Sequence, residues 1–127
     1  MGQVRPDNVL KDLQYVSDVE AKRQRYYIYS REEGFLVLSV SHSRPGSYNL
    51  NFIEKDALEF IRRQFSRRKG ITSQTMAKET VAPVFFSRMD DREKRLRILN
   101  ICYVLVALGH ARMRKEEGSR ELRFDIR

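Results

Sequence analysis

The run ILNICYVLVAL, residues 98–108, constrains this chain more than any other stretch. Directly before it stands RMDDREKRLR, residues 88–97, which is dominated by charge. Read as one helix from Arg88 to about Leu108, ending near Gly109, the segment is wet at one end and apolar nearly all round at the other. Ser87 is placed to cap its start, with Asp90 three residues later as a box-like partner. The second half of such a helix is buried. The run is too short to cross a bilayer, and nowhere does the chain hold the roughly 18 uninterrupted apolar residues that a crossing needs.

The other elements lie on both sides of it. Val9, Leu10, Leu13, Val16 and Val19 recur at three- and four-residue spacing, which predicts a helix over residues 7–22 with Asp7 as its cap. The stretch RYYIYSREEGFLVLSVSHSRPGSYNLNFI then predicts three antiparallel strands. REEG serves as a four-residue hairpin loop and SRPGS as a second turn. Glu54 to Arg68 is the clearest amphipathic helix. Leu58, Ile61 and Phe65 form its apolar stripe with Ala57 beside them; Glu54 and Asp56 sit in its first turn, and Arg67, Arg68 and Lys69 in its last. Gly70 stops it. Thr72 or Ser73 can cap a short helix to about Glu79, and Pro83 breaks the pattern. At the end of the chain Ala111 and Met113, then Leu122, Phe124 and Ile126, alternate with polar residues about the turn KEEGS, which reads as a hairpin.

Composition narrows the partners. At 127 residues, 41% apolar and 33% charged, the chain reads as one compact domain over 1–127. The net charge of +8 is uneven: residues 1–52 hold 7 basic and 6 acidic side chains, residues 53–127 hold 18 and 11. That asymmetry points to a polyanion for the second half. The single cysteine, Cys102, lies in the apolar run and reads as core, not as a nucleophile. His42 and His110 have no cysteine partners at metal spacing, so no metal or other cofactor is expected. The N-terminus has no apolar leader, and the expected location is intracellular, in the cytoplasm.

From residue 54 onward the order is helix, short helix, helix, basic two-stranded hairpin. With GITSQTMAKE as the second helix and its lead-in, residues 88–108 as the third, and ARMRKEEGSRELRFDI as the wing, this order resembles the winged helix-turn-helix at the level of the superfamily. The resemblance implies a third helix in the DNA major groove and a wing on the backbone or minor groove. The link TVAPVFF is longer than a standard helix-turn-helix turn. Residues 1–53 match no family and form a separate sub-region of helix and meander.

On that frame the DNA-contacting residues fall into three groups. Arg88, Arg92 and Arg95 share a face of the third helix, where guanidinium groups fork onto guanine or grip phosphate; the competing reading pairs them with Asp90, Asp91 and Glu93. Arg62, Arg63, Arg67, Arg68 and Lys69 form the densest basic cluster, more than the helix dipole asks for, and suit phosphate. Arg112, Arg114, Lys115 and Arg120 belong to the wing, with Glu116 and Glu117 opposing them. Tyr26, Tyr27, Tyr29 and Tyr48 are candidates for base stacking, but alternating strand aromatics belong more often to a core. Pro6-Asp7 and Glu20-Ala21-Lys22 match a PD-(D/E)xK nuclease pattern only formally, since all of it falls on one expected helix.

The expected architecture is α+β: an N-terminal helix and a three-stranded antiparallel meander, then a winged-helix-like module of three helices and a C-terminal hairpin over 54–127. The expected function is double-stranded DNA binding without catalysis, as a regulator or accessory of DNA processing. The rival is a protein-docking module, a homodimer included, with the apolar helix end and the meander edges as its interface. RNA binding ranks third.

Overall fold

The computed structural model describes residues 12–44, 46–80, 83–86 (backbone alone at 83 and 84), 88–116, 118 and 121–127. Strands come first: β1 (Gln14–Glu20), β2 (Gln24–Arg31), β3 (Gly34–Ser41) and β4 (Tyr48–Glu54). Helices α1 (Lys55–Gln64), α2 (Ser73–Glu79), the single turn α3 (Pro83–Phe86) and α4 (Asp91–Ala107) follow, and β5 (Ala111–Lys115) and β6 (Leu122–Ile126) close the chain. β1 to β4 form an antiparallel sheet in sequence order, and β5 and β6 form a second, two-stranded sheet.

The N-terminal helix expected over 7–22 is overturned. Residues 7–11 lie outside the described residues, and Gln14–Glu20 is a strand, so the meander has four strands, not three. The helix-like pattern comes from a β-bulge. Tyr15 pairs with Tyr29 but Ser17 pairs with Ile28, so Val16 is the extra residue and the alternation shifts there. Val16 and Val19, three apart, therefore both pack on the core side. A three-residue apolar spacing is the helical signal, and here a bulged strand produces it.

The β2–β3 hairpin is also tighter than REEG suggests. Arg31 pairs with Gly34, leaving only Glu32 and Glu33 in the loop. Gly34 is needed for proximity: a Cβ there would collide with the carbonyl oxygen of Ile53 on β4.

Register sorts the large sheet into two faces. Inward go Val19, Ile28, Val37 and Ile53, each at most 5% exposed. Outward go three cross-strand rows: Tyr15–Tyr29–Leu36–Phe52, Asp18–Tyr27–Leu38–Leu50 and Glu20–Arg25–Val40–Tyr48.

Helix α4 organises the interior, as its sequence demands. Ile98, Ile101, Cys102, Tyr103, Val104 and Leu105 are buried, while Leu99 and Val106 are half-buried. Tyr103 stacks on Tyr26 of β2 with ring centroids 4.0 Å apart and meets Phe124 of β6 edge-on at 6.2 Å, so one side chain joins both sheets. Tyr26 is thus core, as alternating strand aromatics usually are. The helix ends in a Schellman arrangement: Gly109 takes φ 80°, its N–H donates to Val106 O (3.1 Å), and the His110 N–H reaches Leu105 O (2.8 Å).

α1 buries Ala57, Leu58 and Ile61, with Phe65 just beyond it, on the stripe the sequence marks. It stops at Gln64, a turn early, because Arg67 adopts a left-handed conformation (φ 66°) and the next residues pair with β6. Ile126 N–H donates to Arg68 O (2.8 Å), and Ile71 bridges Phe124 with hydrogen bonds of 3.0 and 2.8 Å. Arg67 therefore sits in the turn that ends the helix, and Arg68 and Lys69 on the connector that runs to the hairpin, not in a last helical turn.

Candidate nucleic-acid interface

The start of α4 differs from the expected one. Its cap is Asp90, whose Oδ1 accepts the Glu93 N–H at 2.8 Å; Ser87 lies outside the described residues. Arg88 precedes the helix in a left-handed conformation (φ 63°), so it does not share the helical face of Arg92 and Arg95. Both of those arginines are exposed, and among the described residues neither makes an ion pair. The competing expectation, that Asp90, Asp91 and Glu93 neutralise them, is not what the side chains do.

Arg92 and Arg95 open onto a cleft between α2 and α4. Gln74, Ala77 and Lys78 form one wall and Asp91, Arg92, Lys94 and Arg95 the other, around about 350 Å³. Around Gln74 and Arg95 it continues into a second cleft of about 480 Å³, which reaches the β1–β2 turn at Lys22 and Arg23. Lys22, Arg23, Lys78 and Lys94 were not among the residues expected from sequence. The first two lie in the near-neutral half, where a net charge hides them. Lys94 is partly engaged, donating to Thr80 O at 2.7 Å.

A second basic group surrounds the connector between α1 and α2. Arg62 and Arg63 both lean on Glu59, at 3.6 and 3.2 Å. Arg68 forks onto Glu79 at 3.4 and 3.2 Å. Exposed pairs of this kind contribute about 0–1 kcal/mol each. Arg67 and Lys69 are exposed and, among the described residues, unpaired. Gln64 Nε2 also reaches Glu79, at its backbone oxygen (2.9 Å). Glu79 and Thr80 are adjacent, so the end of α1 and the start of α4 converge on the C-terminus of α2, and the two basic groups meet there.

The hairpin joins at Gly70. Its N–H donates to Asp125 Oδ1 (2.8 Å), Arg114 donates to the same oxygen (2.7 Å), and Arg123 donates to Gly70 O (2.9 Å). Arg114 is thus a structural clamp on the hairpin. Arg112, opposite Asp125 on the ladder, acts on it through charge, and Lys115 is exposed and unpaired among the described residues. Arg120 lies outside the described residues.

The Gly70 hydrogen bond, aided by Arg114 and Arg112, holds the Asp125 carboxyl below its ordinary range. A carboxyl depressed in the folded state adds stability above its unfolded pKa and loses it as pH falls. Wild-type protein should therefore lose stability below about pH 4. Asp125→Asn should start less stable at neutral pH and lose less through that acid range. Parallel acid curves in chemical denaturation would show that the clamp contributes nothing.

The other chemistry considered from sequence is dispersed. Cys102 is fully buried, its Sγ 3.6 Å from Met76 Sδ, and burial pushes its thiol pKa far up, which removes the nucleophile. The nuclease-like triplet does not fall on a helix: Glu20 ends β1, where Arg25 (3.0 Å) and His42 (2.6 Å) engage it, and Asp7 lies outside the described residues. Among the described residues no group of His, Cys, Asp and Glu is arranged to hold a metal, and no helix is long and apolar enough to cross a membrane. No family model, curated protein or solved structure matches the chain, so the site's own chemistry has to carry its reading.

Proposed function

We propose that the protein binds double-stranded DNA without catalysing a reaction on it, in the manner of a winged helix-turn-helix, as a regulator or an accessory of DNA processing. One observation carries the reading: Arg92 and Arg95 stand exposed and, among the described residues, unpaired in the first two turns of α4, in one cleft with Lys78 and Lys94. Unpaired, exposed guanidinium groups on one helix face suit forked contacts to base edges, and the lysines around them suit phosphate. Arg67, Lys69 and Lys115 extend the positive surface toward the hairpin. The order of α1, α2, α4 and β5–β6 also supports the reading, as does the way the connector at Ile71 adds to the hairpin. Two features oppose it. Asp91 shares the cleft, and the link from α2 to α4 is long and carries α3.

The test separates positioning from readout. Arg67→Ala with Lys69→Ala should weaken binding to all duplexes alike and flatten the salt slope by about one unit for each phosphate left without its cation. Arg92→Ala or Arg95→Ala should cost about 1–3 kcal/mol on a selected site and relax preference at one position. A cation on a phosphate carries no sequence information, whereas a fork on a base edge does. Full affinity and preference in both α4 variants would remove α4 as the reader. The docking rival is favoured by an observation on another surface, the apolar outer face of the four-stranded sheet.

A further inference from the structure

That outer face is the least explained surface of the molecule. Strand β3, GFLVLSVS, is apolar on both sides: Phe35 and Val37 go into the core, and Leu36, Leu38 and Val40 go outward. A continuous apolar run is the pattern of a strand covered on both faces, and the described residues cover one. The neighbours extend the patch. Tyr27 and Leu50 flank Leu38 in the central row, and Tyr15, Tyr48 and Leu50 are 56%, 64% and 45% exposed. Contiguous patches of this kind mark interaction sites.

We infer that a second copy of this chain covers the face, sheet against sheet. The chemistry selects against a nucleic acid there, although Tyr27, Tyr29 and Tyr48 would offer rings for stacking. The ionic residues of the three rows are Asp18, Glu20 and Arg25, and they pair with one another at 2.8 and 3.0 Å, leaving no cation within the rows for phosphate. Arg31, at the far end, stands beside Glu32 and Glu33. The same facts suit self-association: a two-fold interface sets a patch against itself, which requires an apolar centre and a margin free of single-sign charge.

The dimensions agree with a reversible dimer. Strands about 4.8 Å apart, rising about 3.3 Å per residue, give four strands of seven residues a face of roughly 19 by 23 Å. Two such faces bury on the order of 900 Å² together, which is in the weak, reversible class. Self-association with a dissociation constant of roughly 10–100 µM is expected. Two stacked sheets then lie about 10 Å apart with their strands near 30°.

Sedimentation equilibrium of the full chain, from well below to well above that constant, tests the inference. Wild type should shift from monomer to dimer. Leu50→Lys and Tyr48→Lys, both at exposed positions that leave the core untouched, should each weaken the dimer by at least about tenfold through buried charge. Leu96→Lys, at a 43% exposed position on α4, should leave it unchanged. A monomer at every concentration overturns the inference and leaves the face to another protein or to residues 1–11 of this chain. A dimer indifferent to the two sheet variants, or equally sensitive to Leu96→Lys, overturns it by placing the contact elsewhere. The DNA reading stands or falls separately, since Tyr48 and Leu50 are not in the basic clefts.

Discussion

Affinity for a labelled duplex should fall about 500-fold as salt rises from about 50 to about 200 mM. Arg67, Lys69, Lys78, Arg92, Arg95 and Lys115 are exposed and, among the described residues, unpaired. Each that reaches a phosphate releases counterions and contributes about −0.9 to the log–log slope. With about five in contact the slope is near −4.5, and a fourfold change in salt gives the stated factor. Arg62, Arg63, Arg68 and Arg114 add less, because each must first leave a carboxylate of its own protein. Fluorescence anisotropy across that salt range measures the slope directly. A slope near −1 would leave room for one phosphate and end the groove-and-hairpin reading. Absence of binding at the lowest salt, where non-specific association survives, would put protein docking ahead.

Replacing Tyr103 by Ala should cost about 3–5 kcal/mol, a large share of the roughly 5–15 kcal/mol that holds a typical domain together. The ring is 1% exposed and bridges the two sheets, stacked on Tyr26 and edge-on to Phe124. Truncation opens a cavity at the point where α4 is anchored to both β-layers. The melting temperature should drop by roughly 10–20 °C. Tyr103→Phe keeps the ring packing and removes only the hydroxyl, so its cost should stay near about 1 kcal/mol. Thermal melts by circular dichroism of the three proteins decide it. If Tyr103→Ala melts within a few degrees of wild type, the four-stranded sheet and the helical part do not share the core that these ring pairs describe.

Local signals and long-range ones were unequally legible. The apolar stripe Leu58, Ile61 and Phe65, the Thr72 cap of α2, the glycine stop at Gly109 and the buried second half of α4 could all be read from neighbours within about one helical turn. β1 could not. Its helix-like spacing comes from the bulge at Val16, which becomes visible only once the pairing of β1 with β2 is known. The end of α1 was misplaced for a similar reason. Arg67 to Gly70 would suit a helix end by composition, but Asp125 and Ile126, more than 50 residues away, draw that segment onto the hairpin.

The basic residues show the division most plainly. Composition and local pattern are enough to tell how many cations there are, that most fall after residue 52, and that α4 begins wet and ends apolar. Which of those cations are free depends on long-range packing. Arg68 is taken by Glu79, 11 residues on, and Arg97 by Glu54, 43 residues back, while Arg92 and Arg95 escape the three acids beside them. Charge belongs to a residue, but availability depends on what the fold places within about 4 Å of it, because Coulomb attraction depends on distance in space and not on separation along the chain.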